Sequence, residues 1–237
     1  MLLQIILALF LCTHAPLFGA TNKEPLVEIK SINATINVDT SFINKTTKKS
    51  TCFLRKTVAQ KLSLVQQELG ELGLGLKIMD AYRPLAEQRK LWEKFPDNRY
   101  VANPAHGSRH NRGAAVDVRL IRIKDHKELS MPTMVFSSAC HRNYPKMKNE
   151  EMKKNCKLLE LIMQKHGFIP LPTEWWHFDY KEWAKYEVLD IPIERLAHNE
   201  QAICLQDQKT KKATPLKQPR TPTKKRRPAP KKVQKKA

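Results

Sequence analysis

The sequence has no apolar run of the ~20 residues that a membrane-spanning helix needs. Its longest, Leu2 to Cys12 (LLQIILALFLC), suits instead the apolar region of a secretory signal, expected over residues 1–20. No Lys or Arg precedes that run, and cleavage after Ala20 would place Phe18 where a small residue is preferred. An uncleaved anchor or a buried strand is the alternative. Cys12 follows Phe10-Leu11, a poor context for lipid attachment. There is no Cys-x-x-Cys pair, which argues against a cysteine zinc site. Of five cysteines, Cys52, Cys140, Cys156 and Cys204 remain beyond the leader. They permit two disulfides in three pairings, or buried free thiols. No internal repeat is visible.

Acid is nearly absent at the carboxyl end. Residues 206–237 carry thirteen Lys or Arg against the single acid Asp207, a net +12 of the chain's +20. Pro215, Pro219, Pro222, Pro228 and Pro230 break up this stretch. It cannot bury a core, so it is expected to be a disordered basic tail. Such a tail suits electrostatic contact with an anionic polymer. For an exported chain, in the periplasm or cell envelope, that means wall or membrane surface. No aromatic residue follows Tyr186, which argues against single-stranded nucleic acid, where stacking is the usual device.

Between leader and tail, residues 21–205 suit one domain. Residues 21–50 are polar and read as an irregular lead-in with one short strand. Leu54, Val58, Leu62, Val65 and Leu69 recur at helical spacing and predict a helix over 54–72, ended by Gly73 and Gly75. Leu76 to Met79 reads as a strand, Leu85 to Phe95 as a helix opened by Pro84, and Ala114 to Ile123 as a strand. On that strand Val116, Val118 and Leu120 share one face, with Asp117 and Arg119 on the other. Met131 to Tyr144 reads as a loop-like insertion, Glu150 to His166 as a helix ended by Gly167, and Phe168 to Tyr180 as strand–turn–strand. The mixture predicts an α+β fold, a small antiparallel sheet flanked by helices.

Two segments carry chemistry: Ser108-Arg109-His110-Asn111-Arg112-Gly113-Ala114-Ala115-Val116-Asp117, and Glu174-Trp175-Trp176-His177. A catalytic zinc takes three ligands from His and carboxylate and keeps one position open. A nearby carboxylate that is not a ligand must move the proton. His110, Asp117 and His177 are residues of the first type in these segments, and Glu174 of the second. In an extended segment positions 174 and 177 face opposite ways, so a bend at Trp175-Trp176 is required. Each segment alone fits bland roles equally well: a surface-loop histidine at 110, a capping or salt-bridged carboxylate at 117.

The two segments resemble the metal motifs of the zinc D-alanyl-D-alanine dipeptidases, the family that includes the dipeptidase of vancomycin resistance. Ser-x-His-x-x-Gly-x-Ala-x-Asp is present from Ser108 to Asp117, and Glu-x-Trp-His as Glu174, Trp176 and His177. Cys52-Phe53-Leu54-Arg55, Val65-Gln66, Gly73-Leu74-Gly75-Leu76, Asp80-Ala81-Tyr82-Arg83-Pro84 and Val188-Leu189-Asp190-Ile191-Pro192 resemble further family segments. The resemblance implies one zinc per chain held on the sheet by His110, Asp117 and His177. It implies Glu174 as base and then acid, and Arg83 as the electrophile facing the oxyanion; without it Arg83 reads as a structural salt bridge. Ser108 and Arg109 are candidates for substrate contact, and Trp176 for packing around the site. His106, His126, His141 and His166 have no motif role and are expected at solvent or structural positions.

The resemblance implies hydrolysis of D-alanyl-D-alanine or a related wall dipeptide. It also exposes a departure. Family dipeptidases hold the substrate ammonium with an aspartate in the segment that is here Met131 to Ser138, yet no Asp or Glu occurs from Leu129 to Asn149. That keeps open a D,D-carboxypeptidase or endopeptidase acting on longer wall peptides and, more remotely, a non-catalytic wall-binding module.

Overall fold

The computed structural model describes residues 24–42 and 51–198. The leader 1–20 and the tail 206–237 lie outside them. The chain opens with β1 (Leu26–Glu28), α1 (Ile29–Ile32) and β2 (Asn37–Val38). β3 (Phe53–Arg55), α2 (Lys56–Glu71), β4 (Leu74–Asp80) and α3 (Leu85–Lys94) follow. After a long loop come β5 (Ala115–Arg122), α4 (Glu150–Lys165), β6 (Phe168–Pro170) and β7 (His177–Tyr180). The α+β expectation holds.

Three expectations need correction. Leu54 lies in β3, not in the following helix: Val27 pairs with Leu54 and Glu28 with Phe53, so the edge pairing draws these residues into a strand. The lead-in is not irregular, since it supplies β1, α1 and β2. The main sheet is mixed, in the order β2-β4-β5-β7-β6, because β2 joins β4 in parallel; the other pairings are antiparallel.

The apolar stripe of α2 explains its docking. Val58, Leu62, Val65 and Leu69 are fully buried, each contributing ~1.5–3 kcal/mol of hydrophobic stabilisation. α2 packs on β4 and beside α4, which in turn covers β5 and β6. Val116, Val118 and Leu120 join the same core. The other face of β5 is polar: Lys77 on β4 pairs with Glu128, as does Arg119 on β5. Asp117 lies on that side by strand alternation, so the core and the site occupy opposite faces of one sheet.

α4 has a full N-terminal signature. Asn149 accepts a hydrogen bond from the Met152 N–H at 3.0 Å, with Glu150 and Glu151 in the first turn. Asn149→Ala is expected to lower stability by about 1 kcal/mol, read as a lower urea midpoint. An unchanged midpoint would show that the cap contributes nothing. Cys52, Cys140 and Cys156 are buried free thiols. Among the described residues no helix is long and apolar enough to cross a membrane.

Candidate metal centre and active site

Sheet register sets the site. Asp80 on β4 lies opposite Asp117 on β5, and Asp117 opposite His177 on β7. Three residues far apart in sequence thus form one row across neighbouring strands. His110 arrives from outside the sheet, in a short 3-10 turn, His110–Arg112. That turn is fastened on several sides: Arg83 N–H donates to the His110 carbonyl at 3.1 Å, Asn111 Nδ2 to the Arg83 carbonyl at 2.7 Å, and Arg55 Nε to the Arg112 carbonyl at 2.9 Å. Gly113 ends the turn at φ +65°, where a Cβ would stand 2.5 Å from Leu26 Cδ2. The left-handed backbone is what calls for glycine in the first motif, and a side chain there would also displace Leu26.

The three expected ligands converge. His110 Nε2 lies 3.1 Å from His177 Nδ1, which lies 3.0 Å from Asp117 Oδ1; His110 Nε2 to Asp117 Oδ1 is 3.5 Å. All three residues are buried. Their outer atoms fix the protons. His110 Nδ1 sits 2.7 Å from the Ala81 carbonyl, and His177 Nε2 sits 2.9 Å from Asp179 Oδ1. Both partners only accept, so those ring nitrogens carry the hydrogens. His110 Nε2 and His177 Nδ1 then present lone pairs to each other and to a carboxylate. With both imidazoles neutral the three lone pairs converge without a donor and repel, and a cation among them, a metal ion or a proton, removes the conflict. The donor set, two imidazoles and one carboxylate with hydrogen-bonded outer partners, fits a zinc-type ion.

The titration behaviour agrees. Burial opposes charge on His177, but Asp117 and Asp179 outweigh it and pull its pKa up to about 10. Burial likewise opposes charge on Asp117, and the two imidazoles overcome it and hold the carboxyl far below its usual range.

Glu174 reaches the same cleft. Trp175 and Trp176 form a turn, closed by the His177 N–H donating to the Glu174 carbonyl at 3.3 Å. This supplies the bend the spacing required: Glu174 Oε2 comes within 3.9 Å of His177 Nδ1. Glu174 Oε1 is buried and has no hydrogen-bond partner. Burial pushes the Glu174 pKa up to about 7, with the imidazole of His177 opposing. A carboxylate so placed is a competent proton acceptor near neutrality.

Arg83 is both the salt bridge and the cleft residue that the sequence left open. Its Nε donates to Asp80 Oδ2 at 3.0 Å, its Nη2 pairs with the same oxygen, and its Nη1 donates to Gln88 Oε1 at 2.7 Å. Of five N–H donors, one on each Nη remains for a ligand. The cleft is lined by Arg83, His110, Asp117, Glu174 and His177 together with Ser108 and Arg109. Ser108 Oγ accepts from the His110 N–H at 3.2 Å, so it also braces the ligand loop. The Arg109 guanidinium lies 4.5 Å from the Trp183 ring, with Nε 3.6 Å from Asp179 Oδ2.

The profile of a family described as D-ala-D-ala dipeptidase matches residues 25–199, which hold every one of these groups. The chain belongs to the D-Ala-D-Ala dipeptidase family. A relative within it is the D-alanyl-D-alanine dipeptidase of Escherichia coli (strain K12), 35% identical over 134 residues. The match takes in 56% of this chain and 66% of that relative, just under two thirds of its length. Solved structures with fainter likeness include the LdcB LD-carboxypeptidase, 21% identical, TM-score 0.41, covering 70% of this chain and 74% of that one. Another is the vancomycin resistance D,D-pentapeptidase VanY with Zn(II), 15% identical, TM-score 0.39, covering 65% and 84%.

Within this family member, sequence reasoning missed Asp80, Gln88, Asn111 and Asp179. Asp80 ties Arg83 to the His110 ring, whose Nδ1 lies 3.6 Å from its Oδ2. Asp179 had a readable signal: two residues beyond His177 on a strand, it shares the ligand's face. Trp176 lines the cleft and Trp175 packs under Arg119. Of the remaining histidines, His166 pairs with Glu68, His141 with Tyr100, and His106 is exposed.

Proposed function

We propose that the chain is a zinc-dependent peptidase that hydrolyses D-alanyl-D-alanine or a related wall dipeptide. One observation carries this reading: three buried, converging ligand-type atoms beside the Glu174 carboxylate, whose Oε1 has no hydrogen-bond partner, in a chain of this family. His110, Asp117 and His177 would hold one zinc per chain, which when bound supplies Lewis acidity for a carbonyl oxygen and acidifies water. Glu174 Oε1 takes the proton of the attacking water and delivers it to the leaving amine. Arg83 turns its two remaining N–H groups toward the developing oxyanion, held there by Asp80 and Gln88. Ser108 and Arg109 meet the substrate at the cleft wall.

A second reading, D,D-carboxypeptidase or endopeptidase action on longer wall peptides, is favoured by one feature. Among the described residues, the carboxylates lining the cleft are Asp117 and Glu174, both already engaged, whereas Arg83, Arg99 and Arg109 line it too. A free substrate ammonium has no spare acid to meet there, and leaving it unpaired is unfavourable. A panel of D,D- and L,D-dipeptides and longer wall peptides with zinc-loaded protein separates the two. The leading reading predicts the highest kcat/KM for D-Ala-D-Ala; preference for a pentapeptide would replace it with the second. No turnover of any peptide would leave a wall-binding module.

We further propose export to the envelope, with the basic tail attaching the enzyme to anionic wall or membrane. Deleting residues 206–237 is expected to leave turnover of a soluble dipeptide unchanged and to abolish salt-sensitive retention on isolated envelopes. Unchanged retention would remove the tether.

A further inference from the structure

The turn that presents Glu174 and His177 lies between the edge strand β6 and β7, beyond the end of their ladder. Between β6 and β7 the chain closes on itself through three bonds: Glu174 N–H to the Leu171 carbonyl at 3.2 Å, His177 N–H to the Glu174 carbonyl at 3.3 Å, and Leu171 N–H to the His177 carbonyl at 3.2 Å. The placement of the carboxylate this turn carries matters to about 1 Å, the scale at which misplacement costs ~10²-fold in rate.

Further support comes from β5, whose Val118 N–H donates to the Trp176 carbonyl at 3.0 Å, and from the insertion between β5 and α4. Cys140 Sγ donates to the Thr173 carbonyl at 2.9 Å, and the Cys140 carbonyl accepts from the Trp175 N–H at 3.0 Å. The Arg142 N–H donates to the Pro172 carbonyl at 2.9 Å. The Arg142 side chain then spans the turn: Nε donates to the Leu171 carbonyl at 2.9 Å and Nη2 to the His177 carbonyl at 2.8 Å. These are the first and last carbonyls of the turn, and each also accepts one of its internal bonds. On the far side Nη1 donates to Glu160 Oε2 at 3.0 Å and to Tyr144 Oη at 3.1 Å. The Tyr144 hydroxyl in turn donates to Glu160. The guanidinium lies 4.3 Å from the Phe178 ring, and its side chain is 7% exposed. A planar fork reaching two backbone carbonyls and a carboxylate at once is geometry that only arginine supplies.

We propose that Arg142 is a positioning residue for catalysis: it clamps both ends of the Leu171–His177 turn to α4 and so sets Glu174 against the ligand His177. This rests on the reading of Glu174 as base and His177 as ligand. Neither Arg142 nor Glu160 lines the cleft, so any effect on turnover passes through the turn.

The test is Arg142→Lys, which keeps the charge but not the fork, in zinc-loaded full-length protein. On the best peptide of the panel, kcat is expected to fall by ~10²-fold, the scale of a 1 Å misplacement, with KM within about twofold. Hydrogen exchange at the Glu174, Trp175 and His177 amides is expected to accelerate, while exchange in α2 stays as in the wild type. A merely structural arginine would lower the folded fraction and leave kcat per folded, zinc-loaded molecule intact; that result, or unchanged turn exchange, would overturn the proposal. Should Arg142→Lys not fold, Tyr144→Phe loosens the same anchor and is expected to lower kcat about threefold to tenfold, the scale of one ordinary net hydrogen bond. Unchanged kcat there would equally overturn it. In a wild type inactive on every peptide, the peptidase reading falls, and the exchange rates still decide whether Arg142 holds the turn.

Discussion

Replacing Glu174 by Gln is expected to lower kcat by ~10²–10⁴-fold, the usual share of a general acid–base group, with zinc content at the wild-type level. The amide is nearly isosteric with the carboxylate but cannot take a proton. Glu174 Oε1 meets no donor in the folded chain, so the substitution breaks no hydrogen bond on that side. Burial disfavours the charged form of this group and pushes its pKa up to about 7. Glu174→Gln should therefore melt at or above the wild-type temperature, as commonly happens when a poised active-site group is neutralised. Loss of turnover together with undiminished stability and zinc would set this residue apart from a structural one. Full turnover in the variant would remove Glu174 from the mechanism.

Chelation is expected to have the second large effect. Stripping zinc with a strong chelator should reduce peptide hydrolysis by more than about 10³-fold, since Lewis acidity and water activation go together. It should also destabilise the fold, because a metal that binds only the folded state contributes RT ln(1 + [L]/Kd), about 2.7 kcal/mol at a free concentration of one hundred times Kd. The apo site then holds three buried lone-pair donors within 3.5 Å, and a proton at His177 relieves only part of their repulsion. Re-addition of zinc should restore both activity and melting temperature. Hydrolysis that persists at full strength in demonstrably metal-free protein would sink the metallopeptidase reading.

What the sequence could show depended on how local the physics was. The helices were legible because their apolar stripes and terminal glycines are local: α2 and α4 lie within two residues of the spans read from spacing. Leu54 was misassigned because the same apolar residue satisfies a helical period and an edge strand, and only β1, a distant segment, decides between them. The parallel pairing of β2 was equally invisible, since a two-residue strand in a polar stretch carries no period.

At the site, spacing marks His110, Asp117, His177 and Glu174 only as candidates and the family resemblance assigns their roles, while strand alternation calls for the bend at Trp175-Trp176. Asp179 was readable by the same alternation and was passed over. Asp80 and Gln88 were not, because their roles depend on where the Arg83 side chain goes. Arg142 lies 35 residues before His177, in an insertion whose sequence drew notice only for what it lacks. Its role depends on three carbonyl positions that no side-chain pattern records.

The central claim is one zinc per chain, held by His110, Asp117 and His177. Its most direct test is elemental analysis of natively purified protein alongside His110→Ala, Asp117→Ala and His177→Ala, each checked for folding by circular dichroism. The account predicts one zinc per chain in the wild type and zinc well below that in every folded variant. Folded wild-type protein without zinc, or one zinc per chain retained in all three variants, would contradict it.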